Sequence, residues 1–219
     1  MENKVIAIIG MGPGISFSVA ERFAREGYAV AMFARNEARL SLFKELLTNQ
    51  LVVAQYYPVD AGNPKALCAA IEQMSREMGH PQVLVYNASR NKQLHILDDT
   101  AEGISEDLLI HAGGALEAVK TVLPAMKARK SGTILLTGGG LALHPNPSMG
   151  ALSIGKTALR SLAAQLHDTL MPEGIHVATI TVAGFVTKES QTHHPDRIAD
   201  LYWQLHQTPA DQLEFEYIV

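Results

Sequence analysis

Residues 4–27, KVIAIIGMGPGISFSVAERFAREG, constrain this chain more than any other stretch. Val5 to Ile9 is a continuous apolar run of strand length, the pattern of a strand covered on both faces. Gly10, Gly12 and Gly14 follow, interrupted only by Met11 and Pro13. From Ile15 the apolar period becomes helical, with Ile15, Val19 and Phe23 four residues apart and Gly27 as a C′ stop. A turn with few β-carbons lets a phosphate approach backbone N–H groups, and the positive end of the next helix holds its charge. Three glycines can also serve only a tight strand-to-helix connection. Their setting here, strand before and helix after, is what a dinucleotide fingerprint requires. Gly10, Gly12, Gly14 and Ile15 are therefore expected to bind the cofactor.

The rest of the chain alternates strand and helix. Strands are expected at 28–33, 51–59, 82–86, 133–137 and 175–182, and a seventh, edge strand at 213–219. Asn36 N-caps a helix to about Leu47, and Asn63-Pro64 opens another with proline at its permitted first position. Residues 90–104 show no period and read as loop; helices follow to about Lys130, from about Gly150 to Leu170, and from Pro195 to about His206. Such alternation gives right-handed βαβ crossovers, hence an α/β fold: a doubly wound parallel sheet of about seven strands in three layers. Residues 1–219 are expected to form one nucleotide-binding domain, because no Ser/Pro-rich or charge-rich linker divides them.

Composition narrows the partners. A net charge of −4 without a basic cluster argues against nucleic acid or an anionic membrane. Cys68 is the only cysteine, which excludes an intrachain disulfide and a thiolate metal cluster. No segment is expected to span a membrane, the N-terminal apolar run is too short for a signal peptide, and the protein is expected to be cytoplasmic.

The nucleotide is read at the end of the second strand. NAD-binding folds of this kind place an acid about 20 residues past the turn, on the ribose hydroxyls. Arg35 stands there instead. A guanidinium grips a 2′-phosphate and stacks on adenine, so the expected cofactor is NADP(H). Asp60, with Ala61 beside it, closes the third strand at the ligand-binding rim. It either accepts from the adenine amino group or caps the turn before the next helix.

With these residues the chain resembles the short-chain dehydrogenase/reductase family over about residues 4–190. The family's nucleotide turn matches Gly10 and Gly14, with Ser16 at the third glycine position. Its Asn-Asn-Ala-Gly segment appears as Tyr86-Asn87-Ala88-Ser89, and its Pro-Gly turn as Ala183-Gly184, followed by Phe185-Val186-Thr187. The resemblance implies a Rossmann fold, and it implies cofactor contacts from Asn87, Ala88, Val186, Thr187 and Lys156. It also implies a homodimer or homotetramer packed through the two long helices, and a small-molecule substrate.

The departures fall where the chemistry belongs. The family's tyrosine lies one helical turn before its lysine; the lysine is Lys156 here, but the tyrosine position is Leu152. The serine position is Gly139, and the asparagine of the helix after the fourth strand is His111. Hydride reduction of a carbonyl leaves an alkoxide that needs a proton, and a positioned acid is worth about 10²–10⁴ in rate. Leucine has no proton to give. Lys156 on an apolar stripe should have a partner, either a ribose or a backbone carbonyl.

His111 is the first candidate for the lost acid, although a histidine on that helix also suits a satisfied core position. His144, Ser148 and Ser153 lie near the empty position, with capping or solvation as their alternative roles. His193-His194 with Asp196 does not make a metal site, because adjacent histidines face apart. Gly113-Gly114 inside a helix implies close packing or cofactor approach. The expected function is NADP(H)-dependent oxidoreduction of a carbonyl or alcohol by a nonstandard proton route. The alternative is a catalytically inactive NADP(H)-binding sensor or scaffold.

Overall fold

The computed structural model of the chain describes residues 4–209 and 212–219. Its strands are β1 (Val5–Ile9), β2 (Ala29–Ala34), β3 (Ala54–Pro58), β4 (Val83–Tyr86), β5 (Gly132–Thr137), β6 (Ile175–Thr181) and β7 (Glu216–Ile218). They form one sheet in the order β3-β2-β1-β4-β5-β6-β7, with every pair parallel. Side chains alternate across a strand. Val5, Ala7 and Ile9 therefore join the core made with α3 (Pro64–Met78), α5 (Gly114–Arg129) and α6 (Gly150–Leu170). Ile6 and Ile8 join the core made with α1 (Ile15–Ala24), α2 (Glu37–Asn49) and α7 (Pro195–Gln207). All five β1 side chains are buried. At about 1.5–3 kcal/mol for each large one, this strand alone commits the chain to a sheet covered on both sides. The fold is the expected three-layer Rossmann architecture.

Chain order sets the position of the site. The sheet grows outward from β1 to β3, then returns to β1's other side with β4. In open α/β sheets, ligands bind at the carboxyl ends of the strands where the order reverses. The Gly10 turn and Asn87 stand there, and Asn87 N donates to Ile9 O at 2.7 Å.

The helix caps follow the sequence signals: Asn36 Oδ1 accepts from Arg39 N (2.9 Å), and Asn63 Oδ1 from Ala66 N (3.1 Å). Other boundaries differ from expectation. Residues 51–53 are not strand. Leu51 takes a left-handed φ of 64° and is 94% exposed, while Val52 N returns to Leu47 O, so this apolar run ends α2 and precedes a shorter β3.

The stretch 90–104 is not all loop. It holds a 3₁₀ turn at Ile96–Asp98, and α4 (Ala101–Leu108) starts three residues before the expected boundary, capped by Thr100 Oγ1 accepting from Gly103 N. The helical run then passes a π-turn at Leu109–Gly113 into α5. Against the expectation that no segment could span a membrane, 101–129 is long and apolar enough by length and composition. Its α5 portion is a core helix, with Ala115, Ala118, Val119, Val122 and Met126 all buried on the sheet. The edge strand β7 is shorter than 213–219.

Candidate functional site

The turn after β1 is closed by its own residues. Gly10 has φ +85°, and a β-carbon there would lie 2.5 Å from Ala88 Cα, so both conformation and space demand glycine. Gly10 N and Met11 N both donate to Phe33 O, at 2.9 and 3.0 Å. Ser16, at the family's third glycine position, uses its hydroxyl inside the turn: Oγ accepts from Gly12 N (2.9 Å) and lies 3.2 Å from Gly10 O. Asn87 Nδ2 donates to Gly10 O at 3.0 Å, tying β4 to the turn.

By contrast, no atom lies within 4 Å of a β-carbon built at Gly14. The N-terminus of α1 has neither a side-chain cap nor a first-turn acid. The positive end of its dipole is thus met by no side-chain cap and no first-turn acid, which leaves it for an anionic ligand.

From this turn a cleft of about 400 Å³ runs across the ends of β1 to β4. It is lined by Gly10, Arg35, Asp60, Ala61, Asn87 and Ala88, six of the expected cofactor residues, together with Asn36, Arg39, Ser89 and Arg90. Arg35 is well exposed and lies 3.9 Å from Asp60 Oδ2. Asp60 Oδ1 accepts from Gly62 N at 2.8 Å, so the turn-capping role exists and leaves the second oxygen toward Arg35. Arg39, in the first turn of α2, adds a second guanidinium to the one at the end of β2.

Lys156 lies on the buried stripe of α6 and is 9% exposed. Nζ donates to Thr137 O at 2.9 Å, which realises the carbonyl alternative. An ammonium has three donors, so this contact leaves two for a ligand. Burial lowers the Lys156 pKa to about 8. Across from it, a β-carbon at Gly139 would sit 3.5 Å from Lys156 Cδ and Cε, so a side chain at 139 would pack on the lysine and glycine leaves that flank bare. Leu152, one turn earlier on α6, is buried.

His111 stands on the π-turn and is fully buried. Its ring packs on α6 at Gly155, where a β-carbon would approach Nδ1 to 2.6 Å. Nδ1 lies 2.8 Å from Asp107 O and Nε2 lies 3.0 Å from Ser89 Oγ. Burial first, and the Lys156 charge as well, push its pKa down to about 4, against the raising effect of the Asp107 carbonyl. As an acid exposed to substrate, His111 does not fit: it does not line the cleft and is neutral near pH 7. Ser89, its exposed partner, does line the cleft.

Gly114 has a packing reason, since a β-carbon there would lie 2.5 Å from the Tyr86 hydroxyl. That hydroxyl donates to Ile110 O on the π-turn.

The other expected residues lie outside the cleft. Gly12, Gly14 and Ile15, on the turn and at the start of α1, do not line it, and neither does Lys156. Val186 is half-buried against the core in the segment after β6, and Thr187 is exposed beside it. Ser153 Oγ donates to Met149 O (3.0 Å) and accepts from Asn146 N (3.1 Å), a local role. His194 Nδ1 accepts from Asp196 N at 3.1 Å and caps α7. A second, apolar cavity of about 570 Å³ lies between Ile96, Pro145, Pro147 and the Ser153–Ile154–Thr157 face of α6; Lys156 does not line it.

Comparison with known proteins agrees with this geometry. The family model for short chain dehydrogenases matches residues 4–197. A pig (Sus scrofa) protein, dehydrogenase/reductase SDR family member 4, is 26% identical over 203 residues, 92% of this chain and 73% of its own length. A short-chain dehydrogenase structure from Rhodopseudomonas palustris superposes with a TM-score of 0.89 at 25% identity, covering 100% of this chain and 99% of that one. An alcohol dehydrogenase from the archaeon Thermococcus sibiricus, solved with 5-hydroxy-NADP, superposes with a TM-score of 0.87 at 24% identity, covering 100% and 96%. The chain belongs to the short-chain dehydrogenase family, oxidoreductases that use a nicotinamide cofactor.

Proposed function

We propose that this short-chain dehydrogenase is an NADP(H)-dependent oxidoreductase of a carbonyl or alcohol, in which Lys156 handles the proton that tyrosine handles elsewhere in the family. The observation that carries the reading is the state of Lys156. It is a buried ammonium with one backbone partner, two donors to spare and a pKa of about 8. An acid works best when its pKa lies near the working pH.

The residues present fit the nucleotide. The closed Gly10 turn and the uncapped α1 N-terminus suit the pyrophosphate. Arg35 and Arg39 suit a 2′-phosphate, with Asp60 and Ala61 beside the adenine. Asn87, Ala88, Val186, Thr187 and Lys156 complete the cradle as the family resemblance implies. The archaeal neighbour's 5-hydroxy-NADP supports the phosphorylated form. When bound, the nicotinamide supplies or accepts the hydride.

Lys156 manages the other half of the balance. When a carbonyl is reduced, its oxygen takes the π electron pair and one proton. Lys156 Nζ gives that proton, becomes an amine, and regains a proton from water. In the reverse direction the amine takes the hydroxyl proton. Gly139 and Leu152, at the family's serine and tyrosine positions, contribute no proton and leave the lysine as the acid.

The same two residues favour one rival, a sensor or scaffold that binds NADP(H) without turnover. Incubation with NADPH and a broad carbonyl panel separates the two. Turnover lost in Lys156→Ala supports the enzyme; tight NADPH binding with no turnover on any substrate supports the sensor. The whole chain acts as one domain in this reading. It is expected to pair as a homodimer or homotetramer through α5 and α6, whose Leu116 and Ile154 are exposed. Sedimentation showing only monomer at assay concentration would refute the assembly.

A further inference from the structure

The geometry points to Ser89 as an oriented hydrogen-bond acceptor in the cleft, held by His111, that takes a hydroxyl of the ribose on the nicotinamide side of the nucleotide. A carbonyl oxygen only accepts, so the 2.8 Å contact to Asp107 O places the hydrogen of His111 on Nδ1. In the neutral ring Nε2 then carries a lone pair. Ser89 Oγ, 3.0 Å away, must donate to it. With its one hydrogen directed inward, the exposed serine has only lone pairs left for the cleft. A ligand group meeting it must be a donor.

The surroundings exclude a flip of these roles. The ring cannot turn freely, because Gly155 of α6 lies against Nδ1 and Cγ, closely enough that no other residue fits at 155. Nor is it easily protonated: the ring is buried and the Lys156 ammonium, next in the chain to Gly155, opposes its charge, while the carboxylates of Asp107 and Asp99 are met by Arg90 and Lys92. The Nδ2 donor of the neighbouring Asn87 is spent on Gly10 O and Ser16 Oγ. Ser89 thus presents an acceptor to the cleft, and Lys156, next in the chain to the Gly155 that packs on its histidine, keeps two donors. A sugar hydroxyl, which donates to one group and accepts from another, matches that pair. His111 is a positioning residue that acts through Ser89.

This inference rests on the NADP(H) reading, and its test separates the two failures. The titrants are NADPH and adenosine 2′,5′-bisphosphate, which lacks the nicotinamide half, measured calorimetrically against wild type, Ser89→Ala and Ser89→Thr. Ser89→Ala should weaken NADPH about three- to tenfold, the worth of one neutral hydrogen bond, and leave the bisphosphate unchanged. Ser89→Thr, which keeps the hydroxyl, should restore the NADPH affinity. Nitrogen NMR should show His111 as the Nδ1–H tautomer in wild type, without titration between about pH 5.5 and 9. Equal NADPH binding by wild type and Ser89→Ala, an equal loss for both nucleotides, or an Nε2–H tautomer overturns the inference while the cofactor reading stands. Wild type that binds neither nucleotide ends both.

Discussion

The exposed cleft and the buried cluster around Lys156 and His111 are built on opposite terms. In the cleft the groups are mostly exposed and local: the backbone of one turn, Arg35 at the end of β2 and Arg39 in the first turn of α2, and Asp60 after β3. In the cluster of Lys156 and His111 the groups are buried and drawn from distant parts of the chain. Lys156 leans on Thr137, and His111 is wedged between Ser89, Asp107 and Gly155. Burial shifts both titrations, and the direction is the same: each is held toward its neutral form. The comparison teaches that binding needs a shape many sequences can supply, whereas proton handling depends on desolvation that only a packed site provides.

The sharpest break would come from Lys156. Lys156→Ala should lower turnover at least about 10²-fold, the low end for losing a positioned acid. In wild type, carbonyl reduction should be flat below about pH 8 and decline above it, because the reducing direction needs the ammonium and its pKa is about 8. Alcohol oxidation should rise over the same range. A reduction profile that stays flat to pH 10 would remove Lys156 as the acid.

Next in size is a contrast between neighbouring glycines. Gly10→Ala combines positive φ with overlap on Ala88 and should cost about 3 kcal/mol or more in denaturant unfolding. At Gly12 a β-carbon meets nothing nearer than Ser16 Oγ at 4.0 Å. Gly12→Ala should therefore fold with much smaller loss yet bind NADPH more weakly, the methyl group standing where phosphate approaches. Equal melting shifts in the two variants would show that the turn is not closed as described.

Stability against pH gives a third measure. Burial disfavours the Lys156 ammonium, so the folded state releases its proton near pH 8 while the unfolded chain holds it to about 10.5. Between those values the unfolded state binds more protons, and wild-type stability should rise with pH relative to Lys156→Met, by roughly 3 kcal/mol in all. Below pH 8 the difference between the two proteins should be constant. A difference that shrinks toward alkaline pH would mean the ammonium is stabilised by an unseen partner.

The smallest effect lies in the exposed cleft. Arg35→Ala should cost about tenfold in NADPH affinity and little in NADH affinity, the worth of one charge-assisted contact in partial solvent. Arg39→Ala should do the same more weakly. If NADH and NADPH lose affinity equally, neither guanidinium reads the 2′-phosphate.

Much of the fold was legible because its signals are local. The apolar run of β1, the Asn36 and Asn63 caps and the change of period at Ile15 each depend on residues within a few positions of one another. The errors were also local, and each has a reason. Leu51-Val52-Val53 carries strand-like side chains, but a left-handed Leu51 spends them on ending α2. In α4 the only buried residue is Asp107, so no apolar period marks the start of the helix; Thr100 was its one signal. In the site, Arg35 and Lys156 could be singled out by position alone. Ser89 could not, because its importance comes from a histidine 22 positions away.

What the chain's order of residues determined by itself was a phosphate-compatible turn, an alternating α/β topology, and a helix that carries Lys156 with a leucine one turn before it. Backbone conformation and strand burial are decided over short spans, so a linear reading reaches them. The tertiary structure alone decided which groups around Lys156 and His111 are dry, which hydrogen each carries and which way it points. Those properties belong to the contact between β4, the π-turn, β5 and α6. Desolvation and hydrogen-bond direction exist only once such distant segments are packed together.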